Sequence, residues 1–277
     1  MECTGQYFFL DGAVLQTGIS DEPSAGEAAF YEVIRTRNGV PIFFNDHMNR
    51  LTDGISTRYE LSADIATEVR KGLDALIASE LHGEINVRVT VTFTGQDHSL
   101  HICYISSLYP SPEKVREGVP LILYHAERFN PGVKMLNRRL RLSVNEELAR
   151  RDAYEALLVN REGFITEGSR SNIFFVTEEG VIHTAPDSMV LSGITRRYVT
   201  EIIRSEGIPL VTDAVREDAM TGFRSAFLTG TSPMVLPVRS IEGQPFDVSN
   251  KLTLRLRDLY SEKVESSIRA YLDGNEA

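Results

Sequence analysis

Apolar and polar residues alternate with a period of two over residues 86–93, where Val87, Val89, Val91 and Phe93 oppose Arg88, Thr90 and Thr92. Successive side chains of a strand point to opposite faces, so this spacing predicts a half-buried strand with two distinct faces. Another period governs residues 62–82. Behind Ser62 and Asp64, apolar residues recur at Ile65, Val69, Leu73, Leu76 and Ile77, which is the spacing of one helix face. Residues 7–10 form a short apolar run into an Asp11-Gly12 turn and predict a strand. Residues 30–36 and 40–44, broken by Asn38-Gly39, predict a hairpin. Asn45 or Asp46 is expected to cap a helix that runs past Arg50 and Leu51. Residues 101–106 read as one more strand.

The stretch Tyr109-Pro110-Ser111-Pro112-Glu113-Lys114 interrupts the pattern with prolines and polar side chains. It predicts a linker over 109–118, between an N-terminal domain (1–108) and a C-terminal domain (119–277). Beyond it the pattern predicts strands at 120–124, 155–159, 172–176 and 226–228. Helices are predicted over 140–150, from just after Gly193, and over 249–272. The strands at 155–159 and 172–176 are joined through Arg161-Glu162-Gly163 and the polar segment 166–171.

Composition narrows the function. With 42% hydrophobic residues among 277, the chain can bury a core, and disorder is excluded. A formal charge of -10 argues against a nucleic-acid partner. No run reaches the roughly 18 apolar residues of a membrane span. The first residues lack the basic and apolar regions of a secretion signal, so a cytoplasmic location is expected. Two cysteines, Cys3 and Cys103, are too few for a secreted disulfide framework.

Several catalytic signatures are missing: a nucleophile elbow, a phosphate-binding Walker loop, an H-E-x-x-H helix and a paired-cysteine zinc motif. His98 and His101 lie close together, but neighbouring acids or thiolates are not apparent in sequence, so packing is favoured and no metal is expected. Three segments are more polar than a core requires. Lys134-Met135-Leu136-Asn137 follows an Asn130-Pro131-Gly132 turn. Residues 165–172 read I-T-E-G-S-R-S-N. Ser192-Gly193-Ile194-Thr195 and Thr229-Gly230-Thr231-Ser232 each set Gly beside hydroxyls, where backbone N–H groups can bind an anion. Each alone reads equally as a solvated side chain, a helix cap or a turn.

Taken together and in order, these segments resemble the class IV, or fold type IV, pyridoxal-phosphate (PLP) dependent aminotransferases. The resemblance rests on F-Y-E-V-I-R, N-D-H-M-N-R-L, V-K-M-L-N, the stretch from Tyr154 to Thr200 and T-G-T-S. It implies an α+β fold of two domains, a smaller N-terminal one and a larger one with a mixed, barrel-like sheet, with the cofactor between them. It implies that Lys134 is the Schiff-base lysine, catalytic as both base and acid. Glu167 would face the pyridine nitrogen, and Arg50, Gly193, Ile194, Thr195, Thr231 and Ser232 would bind the phosphate. Leu191 would lie under the ring, with Asn172 as an ordering or purely structural neighbour.

The implied reaction is a ping-pong exchange of an amino group between an amino acid and a keto acid, in a homodimer. The wording is nearest D-amino acid aminotransferase, in which the tyrosine at Tyr31 lines the pocket; branched-chain enzymes show F-E-G-I-R, with Gly where Val33 stands. Gln96-Asp97-His98 lacks the first Arg of the D-enzymes' R-x-H carboxylate trap. Arg88 is the candidate substitute: either it grips the carboxylate, or it is a plain solvent-facing strand arginine. Thr231 and Ser232 are the other substrate-side candidates, whereas Lys114, Arg116 and Arg128 have no motif support. Branched-chain L-amino acid aminotransferase, 4-amino-4-deoxychorismate lyase (from L-N-R after the lysine) and a non-catalytic PLP-binding protein are the alternatives. The family's D-R-G-F stretch is replaced by residues 20–27, without its aromatic and its Arg.

Overall fold

In the computed structural model, residues 3–18, 26–61, 64–128, 130–135 and 137–274 are described. Backbone contacts divide the chain into two units, Met1–Leu108 with Lys134–Leu136 and Val264–Ala277, and Tyr109–Val133 with Asn137–Lys263.

The first unit is built from β1 (Cys3–Leu10), β2 (Ala13–Gln16), β3 (Ala28–Arg37), β4 (Val40–Pro41), α1 (Phe44–Ser56), α2 (Ile65–Ser79), β5 (Glu84–Thr94) and β6 (Asp97–Ile105). Its six strands form one sheet in the order β2-β1-β6-β5-β3-β4. The pairing is antiparallel, with Glu32 opposite Val89 and Tyr31 opposite Thr90. Glu32, Val89, Ile102 and Phe9 therefore share one face, and α1 and α2 pack onto this sheet. Tyr31, Arg88, Thr90, His101 and Cys103 share the other.

The alternation at 86–93 predicts one wet face. Instead both faces are buried, with Arg88 5%, Thr90 1% and Thr92 4% exposed. The strand is central in the sheet, between β3 and β6. The solvent-facing reading of Arg88 is thereby overturned.

The hairpin arm expected over 40–44 is only two residues long. Pro41 offers no N–H to extend the ladder, and Phe43 turns into the left-handed region (φ 55°, ψ 42°) to start α1. Asn45 and Asp46 lie inside that helix rather than capping it. Asp64 caps α2 by accepting from the Thr67 N–H; Ser62 lies outside the described residues. Cys3 and Cys103, too few to suggest a framework, are joined in one disulfide between β1 and β6, with Cα atoms 5.6 Å apart.

The second unit starts inside the expected linker. Ser111 caps a short helix, α3 (Pro112–Glu117), whose Val115 packs against the core. Then follow β7 (Val119–His125), α4 (Arg138–Arg151), β8 (Glu155–Val159), β9 (Phe164–Gly168), β10 (Asn172–Val176), β11 (Ile182–His183), α5 (Ile194–Ser205), β12 (Leu210–Val211), β13 (Val215–Arg216), β14 (Ser225–Gly230), β15 (Met234–Ile241), β16 (Gln244–Pro245) and the start of α6 (Lys251–Leu272). The strand order is β12-β11-β10-β14-β15-β7-β8-β9-β13, with β16 beside β15. The sheet is mixed, since β15–β7, β7–β8 and β11–β12 run parallel. It curls into a half-barrel around Leu121, Leu157, Ile165, Phe175, Leu228 and Leu236. Within the polar segment read as a plain connection, Thr166, Glu167 and Gly168 belong to a strand, because Ile165 and Glu167 turn inward while Thr166 bonds to the Leu158 carbonyl at its edge. None of the described helices is long and apolar enough to cross a membrane.

Candidate active site

In the first unit the lysine segment lies along the part of β3 that short β4 leaves open. Tyr31 N–H donates to the Lys134 carbonyl at 3.2 Å, and Phe30 bridges to Met135. From that edge Lys134 reaches both faces of the strand. Its Nζ lies 5.4 Å from the centre of the Tyr31 ring and donates to Glu32 Oε2 at 3.5 Å.

Glu32 is fully buried and gathers the neighbouring cations. Arg50 donates through Nε to Oε1 at 2.7 Å and through Nη2 to Oε2 at 2.6 Å. His47 Nδ1 lies 2.8 Å from Oε2. Burial alone would raise the Glu32 carboxyl, but Arg50, Lys134 and His47 outweigh it and hold it well below the usual carboxylate range. Burial pushes His47 down, against the pull of Glu32.

In the second unit Glu167 is also buried, at 3% exposed, with a different set of partners. Oε1 accepts from Arg128 Nη1 at 2.9 Å. Oε2 accepts from the Leu191 backbone N–H at 3.0 Å and from Asn172 Nδ2 at 3.4 Å. Burial raises the Glu167 carboxyl, and Arg128 with the Leu191 N–H only partly opposes this. Leu191, expected as an apolar floor, thus acts here through its backbone: its carbonyl also accepts from Asn172 Nδ2 at 3.0 Å.

Next to this group α5 begins at Gly193. Among the described residues no side chain caps it, so the first-turn N–H groups at Ile194 and Thr195 present the positive helix end. A Cβ on Gly193 would lie 2.3 Å from Asn172 Oδ1. The Thr195 hydroxyl is paired with Tyr260 Oη at 3.0 Å, which leaves its N–H as the group suited to an anion. Thr231 and Ser232 are half-buried in the turn between β14 and β15. The hydroxyl of Thr229, opposite Asn172 in the ladder, is fully buried with no partner among the described residues.

Tyr31, Arg50 and Lys134 therefore come together in one unit, and Glu167, Asn172, Leu191 and Gly193 in the other. Arg88 shares a face with Tyr31, and its Nη2 lies 3.7 Å from Cys103 Sγ. Three residues to which sequence reasoning gives no role have central places. Glu32 and His47 stand inside the family motifs, and their letters are the available signal. Arg128, without motif support, lies on Glu167 and also donates to the Val133 carbonyl at 3.1 Å, just before Lys134. No spacing announces it. The sequence suggests no thiolate neighbour for His101, yet Cys3, His101 and Cys103 offer atoms within 4.8 Å of one another. The two sulfurs are bonded together there and are not thiolates. Within the segment 20–27 only Gly26 and Glu27 are among the described residues.

A family model for amino-transferase class IV matches residues 29–241. Among curated relatives, a D-alanine aminotransferase of Bacillus licheniformis is 29% identical over 232 residues, 77% of this chain and 79% of the relative. A putative branched-chain-amino-acid aminotransferase of Methanocaldococcus jannaschii is 27% identical over 91% of this chain and 93% of its own length. Among solved structures, a T.th. branched-chain amino acid aminotransferase with pyridoxamine 5'-phosphate superposes with a TM-score of 0.82, at 23% identity and 96% coverage of each chain. At that identity the likeness speaks for the fold. A putative branched-chain aminotransferase of Thermotoga maritima has a TM-score of 0.79 at 26% identity, covering 94% of this chain and 96% of its own. The chain belongs to the class IV aminotransferases, and its fold is fold type IV. It is a PLP-dependent transaminase.

The residues present fit that cofactor. A carboxylate has room for about four hydrogen bonds, and the described residues give Glu167 three, one of them long. In the second unit the start of α5, with no side-chain cap among the described residues, suits a phosphate; in the first unit Lys134 and Arg50 carry an amine and a guanidinium.

Proposed function

We propose that this enzyme moves the amino group of a D-amino acid to a keto acid, with Lys134 as the lysine that holds the cofactor covalently. The observation that carries the site reading is the convergence of Lys134, Arg50 and His47 on buried Glu32, with the Tyr31 ring beside the amine. The bound cofactor supplies an electron sink for the pair left behind when the substrate α-proton departs. Lys134, as free amine, would take that proton and give it back. Glu32 stabilises the ammonium form that results. Glu167 would keep the proton on the ring nitrogen, the α5 N-terminus would hold the phosphate with Thr231 and Ser232 at its border, and Arg50 would supply the guanidinium that the family motif assigns to the phosphate. The D-amino acid preference is supported by Tyr31 and Val33 in F-Y-E-V-I-R and by the D-alanine aminotransferase relative.

A second reading, a branched-chain L-amino acid as donor, is favoured by the burial of Arg88 at the position of the branched-chain Y-I-R arginine. An arginine there can grip a carboxylate through two parallel hydrogen bonds.

A half-reaction screen decides between them. The holoenzyme is mixed with D-alanine, D-glutamate, L-leucine, L-glutamate or an (R)-primary amine, and loss of the visible cofactor band is followed. Loss with D-alanine or D-glutamate is expected; loss with L-leucine alone overturns the first reading for the second. Lys134→Ala is expected to abolish covalent cofactor retention and multiple turnover. Wild-type turnover in that variant would sink the assignment of Lys134.

A further inference from the structure

Glu155 heads β8 and is 3% exposed. Its carboxylate organises the turn that joins β9 to β10. Oε1 accepts from Ser169 Oγ at 2.7 Å and from the Ala156 N–H at 2.9 Å. Oε2 accepts from Ser171 Oγ at 3.0 Å and from the Arg170 N–H at 3.2 Å. The backbone locks the same turn: Ser169 N–H donates to the Ala156 carbonyl at 2.8 Å, and Gly168 N–H to the Ser171 carbonyl at 2.7 Å. Gly168 is required by the crowding, because a Cβ there would lie 2.1 Å from Ser171 Oγ.

The two residues flanking this turn are Glu167 and Asn172. Both reach Leu191, and Asn172 also reaches Glu167. The direction of the Glu167 carboxylate is therefore set by how the turn is held.

We propose that Glu155 is a positioning residue that aims Glu167 by anchoring residues 169–171. The inference rests on the reading of Glu167 as the partner of the cofactor's ring nitrogen. Charge at Glu155 matters as well as size. Each of its oxygens faces one backbone N–H, which cannot reverse its role, and one serine hydroxyl, which can; the Arg170 Nε also stands 4.0 Å from Oε2. A glutamine in the same place must turn its NH2 toward the N–H of either Ala156 or Arg170, donor against donor.

The test uses holoenzyme of the wild type, Glu155→Gln, Glu167→Gln and the double variant. Three quantities are measured: the pH midpoint of the visible cofactor band, the cofactor dissociation constant on dilution, and the melting temperature. Glu155→Gln is expected to move the midpoint and to weaken cofactor retention about tenfold. The double variant is expected to be no worse than Glu167→Gln alone, since residues acting through one another are non-additive. A lowered melting temperature with midpoint and dissociation constant unchanged overturns the proposal, as does full additivity. If Glu167→Gln itself behaves as wild type, the reading of Glu167 is what has failed, whatever Glu155→Gln does. Should Glu155→Gln not fold, Ser171→Ala removes one donor from the same carboxylate. It must then move the midpoint in the same direction by a smaller amount; no movement overturns the proposal.

Discussion

Glu32 keeps its charge in a fully buried place because Arg50, Lys134 and His47 surround it. A carboxyl with a depressed folded-state value adds stability above its ordinary value of 4.5, and loses that contribution as pH falls through the folded value. The stability difference between wild type and Glu32→Gln is therefore expected to be large at neutral pH and to shrink as the pH drops well below 4.5. Breaking such a buried ionic group costs about 3–5 kcal/mol. Denaturant midpoints of both proteins at a series of pH values check this, and a gap that stays constant into acid would contradict it. As residues of the candidate site, Lys134, Arg50, Glu167 and Asn172 are legible because motif wording carries them. Arg128 and Glu155 are not, since their partners lie 39 and 14–16 residues away and an isolated Arg or Glu has no period.

At the scale of elements, α2 meets the sheet at Gly72. A Cβ there would lie 2.7 Å from Phe9 Cε1 and 2.8 Å from Ile102 Cδ1. Two effects oppose each other in Gly72→Ala. Alanine gains about 1 kcal/mol of helix propensity, whereas overpacking a filled core costs about 1–3 kcal/mol. The second is expected to win, so the variant should melt below the wild type; a higher melting temperature would show that the ring and the isoleucine yield easily. The same distinction between local and tertiary causes explains which elements could be read. α2, β5 and α6 are long enough to display their periods. β4, β11, β12, β13 and β16 have two residues each, too few for any period, and exist because a neighbouring strand offers an edge. β9 was missed because its inward Glu167 breaks the apolar signal, and the α1 start because Phe43, an unusual left-handed residue, took the place of a polar cap.

For the whole molecule, the covalent link between Cys3 and Cys103 spans 100 residues, nearly all of the N-terminal sheet. Cross-linking so long a loop restricts the unfolded chain, typically by about 2–4 kcal/mol of stability. Cys103→Ser, or wild type treated with a dithiol reductant, is expected to melt several degrees lower, whereas reductant should leave Cys103→Ser unchanged. An identical melting temperature with and without reductant in the wild type would remove the bridge as a source of stability.

The far end of the chain completes that same sheet unit. Glu265 pairs with Arg37, Ser267 Oγ accepts from the Phe43 N–H at 2.8 Å, and Arg70 lies 5.0 Å from the Tyr271 ring centre. Residues 109–263, apart from 134–136, belong to the other unit. During synthesis the ribosome must therefore add that whole stretch, on the order of ten to thirty seconds at about 5–20 residues per second, before these partners emerge. Until then Arg37, the Phe43 corner and Arg70 wait without them, in a nascent chain open to chaperones and to wrong pairings. The part of this enzyme that is made first is finished last.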